Sequence, residues 1–389
     1  MFSQLKTWYF NTLRKIGALL SIELEKATIP DEPHVQLPAD ISQHLQGATQ
    51  ALPHHPAELE AVQEGINSAL TQWLEQPDNA CNSLVILSTP IEPGVHLLTE
   101  GLAAWQEQHH NPVQFLSWEQ RPTDPATIET KLRGQLGRGT LAGSSEKPEI
   151  VVIPNLSQCF LRCIEGLDGI EYLRNTVLED NCRFWLIGSN QVSWEYLDRV
   201  FKVKAYFQQT ISLPFLSGEQ LQEWLEPVVS EFSINFSQKQ PESESSSPEE
   251  QEEIAQIKYF EHLALISGGI SQVAVPLFLR SLYHEPSEEN RADEKVIVKA
   301  DKPSLPDLPY LESDEQSLLY SLLLHSELTL SHLATSLGDE QDIVQNLVQV
   351  LRPPGIIEQR EQLLRVNPAH YSKLKSELDG NNFLIAEEG

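Results

Sequence analysis

The chain has 389 residues, 40% of them hydrophobic, and carries 56 acidic against 27 basic side chains for a net charge of -29. This length suits two or three domains and the apolar fraction is ordinary for a globular protein. The charge argues against a nucleic-acid surface, which needs clustered Lys and Arg, and no apolar run reaches the roughly 18 residues that span a bilayer.

The first 26 residues break with this acidity. Phe2, Leu5, Tyr9, Leu13, Ile16, Leu20 and Leu24 recur at helical spacing, and Trp8 and Phe10 widen that face. Lys6, Arg14, Lys15 and Lys26 against Glu23 and Glu25 leave this segment at +2. A cationic, aromatic-rich amphipathic helix can dock on a protein partner, lie in a lipid interface, or pack on its own domain. Phe2, Leu5, Trp8, Tyr9, Leu13, Ile16 and Leu20 are the candidate docking residues. Pro30, Pro33 and Pro38 then set the helix apart from the body.

Residues 56–76 read as a second helix. From there strands and helices alternate. The strands are Leu84–Leu87, Val113–Trp118, Ile150–Ile153, Arg183–Gly188 and Thr210–Leu213. The helices between them cover 95–108, 125–134, 169–179 and 194–201, with a Gly-rich loop at Gly134–Gly143. Continuous apolar strands separated by helices predict a parallel sheet covered on both faces, a three-layer α/β domain. A helix over Gly218–Val229 follows. Ser237–Glu253 holds six glutamates and almost no apolar residue, and is expected to be disordered. Helices over Ile254–Leu265 and 271–282 flank Gly268-Gly269. In the charged linker Glu285–Pro309, Val296-Ile297-Val298 can form a short strand. The last 80 residues read helix, helix, helix, hairpin: Asp314–His325, Leu330–Leu337, Asp339–Leu351, then Ile356–Glu358 and Leu363–Val366. That is the order of a winged helix. Its third helix has no Lys or Arg before Arg352, so packing or protein interaction is favoured over DNA reading.

A phosphate-binding loop of the form G-x-x-x-x-G-K-[ST] offers backbone N–H groups, a Lys for the β- and γ-phosphates and a hydroxyl for Mg²⁺. The equivalent place after the first strand is Thr89-Pro90-Ile91-Glu92-Pro93-Gly94-Val95-His96. Thr89 replaces the first glycine, Val95 the lysine and His96 the hydroxyl. Two prolines remove donors, and Glu92 adds negative charge. The strand Ile150–Ile153 ends in Pro154-Asn155-Leu156, where a Walker B acid would hold the Mg²⁺ shell. No carboxylate follows until Glu165. The fourth strand ends in Gly188-Ser189-Asn190. Asn190 stands either as a γ-phosphate sensor or as a helix-capping residue.

From about Asn82 to Leu282, the chain resembles the P-loop NTPase domain of AAA+ and STAND-type ATPases. The residues that carry the resemblance are Leu84–His96, Ile150–Asn155, Phe184–Asn190, Ile211–Leu221 and Ser267–Ile270. The resemblance implies sheet order 5-1-4-3-2, a helical lid and a C-terminal winged helix. It places Thr89, Gly94, Val95, His96, Asn155 and Asn190 in a degenerate nucleotide site. With the lysine, the Mg²⁺ hydroxyl and the Walker B acid all replaced, hydrolysis is not expected, and ATP or ADP would bind weakly if at all.

Other constellations carry little. Cys81, Cys159, Cys163 and Cys182 form no CxxC pair and read as reduced, buried thiols with no metal. His54-His55 and His109-His110 read as solvated pairs, and Trp185, Trp194 and Trp224 as core. Arg133 and Arg138 flank glycines in a surface loop. No GxSxG elbow exists.

The expected domains are an amphipathic helix (1–30), a linker with leading helix (31–80), the α/β domain (81–232), an acidic disordered linker (233–253), a helical lid (254–284), a second linker (285–309) and the winged-helix-like domain (310–389). The expected function is that of a non-catalytic scaffold or regulator, cytoplasmic or peripheral at a membrane, docking on a membrane-associated or oligomeric protein partner through its N-terminal helix. The alternatives are an ATP- or ADP-binding switch and a winged-helix DNA-binding regulator. The N-terminus lacks a signal-peptide cleavage pattern.

Overall fold

The computed structural model describes residues 37–76, 81–91, 94–116, 118, 120–137, 148–236, 248–284 and 297–383. The candidate docking residues Phe2 to Leu20 lie outside these, as do Glu92, Pro93 and Arg138. The chain divides into two compact units, Met1–Pro53 with Phe215–Leu305 and His54–Pro214 with Pro306–Gly389.

The second unit is built on five strands: β1 (Ser83–Ser88), β2 (Val113–Phe115), β3 (Glu149–Ile153), β4 (Arg183–Asn190) and β5 (Thr210–Ser212). They run in the order β2-β3-β4-β1-β5, all parallel, which is the 5-1-4-3-2 order expected. β1 is buried along its whole length and β3 and β4 after their first residues, as strands covered on two faces must be. Side chains alternate between the faces. Leu84, Ile86, Ile150, Val152, Phe184 and Leu186 form one core with the helices Pro56–Glu75 and Gly94–His109, through Ile66, Leu70, Trp73, Leu98 and Trp105. Val85, Val151, Trp185 and Ile187 alternate with them and are equally buried. The helix Gln191–Phe201 packs on β4 and β1, and the helices Ile128–Leu136 and Asp168–Glu179 pair with one another. The structure is therefore a three-layer α/β domain. β2 is shorter than the expected Val113–Trp118, and β4 runs on to Asn190.

The C-terminal part of this unit starts with the helix Ser313–His325, which buries every residue from Leu318 to His325. Strand Leu328–Thr329, helices Leu330–Leu337 and Gln341–Leu351 and the hairpin Ile357–Arg360/Leu363–Val366 follow. Leu328–Thr329 adds to the hairpin as a third strand, and helix Tyr371–Gly380 closes the module. The sequence reading missed both additions.

The first unit gathers helices Ala39–Gln50, Gly218–Phe232, Pro248–Ser267 and Ser271–Ser281 with an antiparallel pair, Leu282–His284 and Val298–Ala300. Phe236, Tyr259, Phe260 and Phe278 stack in its core. The Ala39–Gln50 helix stands where only a linker was expected. The Gly218–Phe232 helix packs on Pro248–Ser267 and so groups with the helices beyond the acidic stretch, not with the sheet. Residues 248–253 are helical rather than disordered, because they form the first turns of a helix whose later residues, such as Phe260 and Leu263, are buried.

Several side-chain expectations are corrected. His55 is buried and caps the Pro56–Glu75 helix by accepting from Ala57 N at 3.0 Å. His109 stacks on Trp105 with ring centroids 4.2 Å apart. Trp224 is half-buried rather than core, its Nε1 donating to Pro53 O at 2.9 Å. Arg133 lies within a helix, bonded to Glu129 at 2.7 Å and over the Tyr172 ring. Of the cysteines only Cys159 is buried; Cys182 is exposed.

Gly188 of β4 stands against Pro154, the residue that follows β3. A Cβ there would lie 2.2 Å from Pro154 O, a backbone atom that cannot swing away. Gly188→Ala should therefore destabilise the protein by about 2–4 kcal/mol in urea unfolding. An unchanged unfolding midpoint would show that the strand ends are not closely packed.

Candidate functional site

Parallel strands bring their C-terminal ends to one edge of the sheet, where open α/β folds place ligands. At this edge Ser88 of β1 pairs in register with Asn190 of β4. Thr89 is buried, and the chain re-enters helix at Gly94, whose added Cβ would meet Ser88 Oγ at 3.0 Å. Val95 is half-buried. His96 is exposed, and its ring stacks with that of His54 at 6.3 Å. Thus Thr89 and Gly94 do sit beside Asn190, but no Lys or hydroxyl side chain occupies positions 95 and 96.

Asn155 and Asn190 are engaged instead. Asn190 Oδ1 accepts from Ser193 N at 2.7 Å, capping the Gln191–Phe201 helix. Its Nδ2 donates to Leu324 O at 3.2 Å and to Ser326 Oγ at 3.0 Å. Ser193 Oγ donates to the same Leu324 carbonyl. Asn155 Oδ1 accepts from Ser157 N at 3.0 Å and Ser157 Oγ at 2.6 Å, and Ser157 Oγ also lies 3.1 Å from His325 O. Leu324 and His325 are the last residues of the Ser313–His325 helix, broken at Ser326 with φ +63°. A helix leaves its final carbonyls without intrahelical donors. Here the hydroxyls and amide of the sheet edge supply those donors.

Two arginines complete the junction. Arg121 is buried between the segment that follows β3 and the end of the helix. Its Nε donates to Phe160 O at 2.9 Å, and Nη2 reaches Ser157 O and, at 3.3 Å, His325 Nδ1. Arg162 Nη2 donates to Ser321 Oγ and Ser336 O, both at 3.2 Å. Both guanidiniums therefore lie near the negative end of the Ser313–His325 helix dipole. Burial lowers Arg121 to about 10, which leaves it protonated at neutral pH. Burial also pushes the neighbouring Cys159 thiol up to about 12, so it is an inert core thiol.

His325 is held neutral. Burial, and then the Arg121 charge, pull it well below its ordinary value. The Arg162 amide lies 3.3 Å from Nε2 while Arg121 points at Nδ1. A neutral imidazole accepts at one nitrogen only, so these donors compete, and a doubly protonated ring would oppose both. His332, bonded through Nε2 to Pro122 O at 2.9 Å, is lowered by burial and then by Arg121.

Sequence reasoning missed Arg121, Ser157, Arg162, Ser193, His325 and His332. None belongs to a motif. Ser157 and Ser193 sit two and three places beyond Asn155 and Asn190, and a polar residue just after a strand end is the only local sign they carry.

The sequence matches no protein-family profile, and no curated protein is significantly similar to it. Among solved structures the chain is similar to a mutant of RuvB from Thermotoga maritima, at 15% identity over 83% of this chain and 95% of that one, with a TM-score of 0.34. It is similar to Cdc6p from Pyrobaculum aerophilum, at 13% identity over 86% and 96%, TM-score 0.31. It is also similar to the Aeropyrum pernix ORC1 protein, solved in complex with DNA, at 13% identity over 86% and 95%, TM-score 0.35. The architecture is established by the chain's own strand order and register. No helix among the described residues is long and apolar enough to cross a membrane.

Because the native value of His325 lies below its unfolded value of 6.5, its contribution to stability is present above that pH and lost as the pH falls. His332 acts in the same direction. Wild-type protein should lose stability between pH 7.5 and 5.5 more steeply than His325→Gln, by up to about 1.4 kcal/mol per pH unit for each proton concerned. Equal slopes in urea titrations at the two pH values would remove His325 from this account.

Proposed function

We propose that this chain is a non-catalytic scaffold or regulator of AAA+-like architecture, acting through protein–protein contacts. The observation that carries the reading is the engagement of the sheet edge by the chain's own Ser313–His325 helix. Asn155 and Asn190, at the places of a Walker B acid and a sensor, are held by bonds to Ser157, Ser193, Leu324 and Ser326. In the loop after β1, Val95 and His96 stand where the phosphate-binding Lys and the Mg²⁺ hydroxyl belong. Without that cation the transition-state charge of phosphoryl transfer has no partner there, and without the carboxylate the metal has no anchor. We read Thr89, Gly94, Val95, His96, Asn155 and Asn190 as a nucleotide site that has lost its chemistry.

The C-terminal module fits the same role. We read it as a winged helix turned to protein contact. Its Gln341–Leu351 helix, the one that would enter a DNA groove, carries Asp342 and no basic residue. The amphipathic segment 1–26 is proposed as the element that docks the scaffold on its partner.

Purified protein should hydrolyse ATP no faster than a blank and show no thermal shift with ATP and Mg²⁺. A shift of several degrees without turnover would favour the nucleotide-switch reading. Turnover abolished by Gly94→Val would overturn the scaffold reading. Deleting residues 1–26 should remove the main partner recovered with the full chain from a lysate; an unchanged partner set would place docking elsewhere.

A further inference from the structure

We propose that a polar cleft on the sheet-bearing unit binds a short acidic peptide segment, with Arg121 as the anchor for its carboxylate. The cleft has a volume of about 430 Å³, within the range that holds small ligands and a few peptide residues. Arg121 lines it and is only 9% exposed. Its Nε and Nη2 are used by Phe160, Ser157 and His325. Among the described residues the bonds of Arg121 use Nε and Nη2, and none uses Nη1. No carboxylate forms an ion pair with Arg121 among the described residues. Glu327 acts on this guanidinium through space without bonding to it, so a buried charge that is normally directly paired keeps room for a bonded anion.

The rest of the cleft selects the kind of anion. Gln120, Gln158, Gln341, Gln359, Gln362 and Asn155 line it. Side-chain amides both donate and accept, which matches the alternating N–H and C=O of a peptide main chain. Leu330 to His332, the first turn of the Leu330–Leu337 helix, present a positive dipole end to the same space. Glu327 also lines it, and His325 and His332 are held neutral. One guanidinium facing one acidic wall residue suits a single carboxylate better than a doubly charged phosphate. The proposal deepens the scaffold reading by naming the class of partner. Its test uses no nucleotide, so its failure leaves that reading standing.

The experiment titrates the full chain against fluorescein-labelled Gly-Ala-Glu-Ala-Gly and its Gln counterpart by anisotropy, with inorganic phosphate as competitor. The Glu peptide should bind about tenfold more tightly than the Gln peptide, as expected for a charge-assisted bond. Arg121 is embedded in the junction, so the variants are made at Gln341, which is exposed on the cleft wall. Gln341→Glu should weaken binding about threefold and Gln341→Lys strengthen it about threefold. Equal binding of the two peptides, insensitivity to charge at position 341, or phosphate that displaces the peptide at lower concentration than the peptide's own dissociation constant would each overturn the proposal.

Discussion

The sheet-bearing unit depends on how one helix ends. The Ser313–His325 helix runs through buried surroundings and terminates at a left-handed Ser326 against the strand ends. Leu324 and His325 at its end are buried, and an unmade bond to a buried carbonyl costs about 1–3 kcal/mol. Asn190 and Ser193 supply donors to Leu324 O, the Ser157 hydroxyl proton is shared between Asn155 Oδ1 and His325 O, and Arg121 and Arg162 supply positive charge near the negative end of the dipole. The polar edge of the sheet and the polar end of the helix therefore satisfy one another, and each would be unstable if exposed to apolar packing alone.

This arrangement uses the polar residues of the sheet edge within the chain itself. A nucleotide site keeps its polar groups free to meet phosphate and metal. Here those groups are committed within the chain. Asn155 aligns Ser157, which reaches His325 O; Asn190 begins one helix and caps another. A carboxylate at position 155 would present negative charge near carbonyl oxygens that already carry partial negative charge. Asn155 adds no such charge, and Asn190 and Ser193 meet the Leu324 carbonyl as donors. The same surroundings account for a neutral His325: with Arg121 and the Arg162 amide directed at its two ring nitrogens, a neutral ring can accept from one of them, whereas a doubly protonated ring would oppose both.

Much of the fold was legible in the sequence. The apolar runs at Leu84–Leu87, Ile150–Ile153 and Arg183–Gly188 locate the three central strands, because strands buried on both faces must be continuously apolar. The spacing of helices between them implies parallel pairing and, with the motif resemblance, the strand order. The edge strands β2 and β5 were harder to bound, since three residues partly open to solvent carry little pattern. The Ala39–Gln50 helix escaped notice because its hydrophobic residues are sparse between prolines. Within the site, position 155 and position 190 could be found from their place after strands. Their partners could not. Arg121 lies 204 residues from His325 and Ser193 lies 131 from Leu324. No local pattern encodes such pairings, which exist only once the Ser313–His325 helix has met the sheet.

Amide hydrogen exchange across residues 318–326, with and without saturating ATP and Mg²⁺, tests most directly whether the sheet edge belongs to the chain's own helix. With the carbonyls of Leu324 and His325 held by Asn190, Ser193 and Ser157, the last turn should be slow to exchange and unaffected by nucleotide. Faster exchange there on adding ATP would mean that nucleotide displaces the helix from the edge, and would contradict the account.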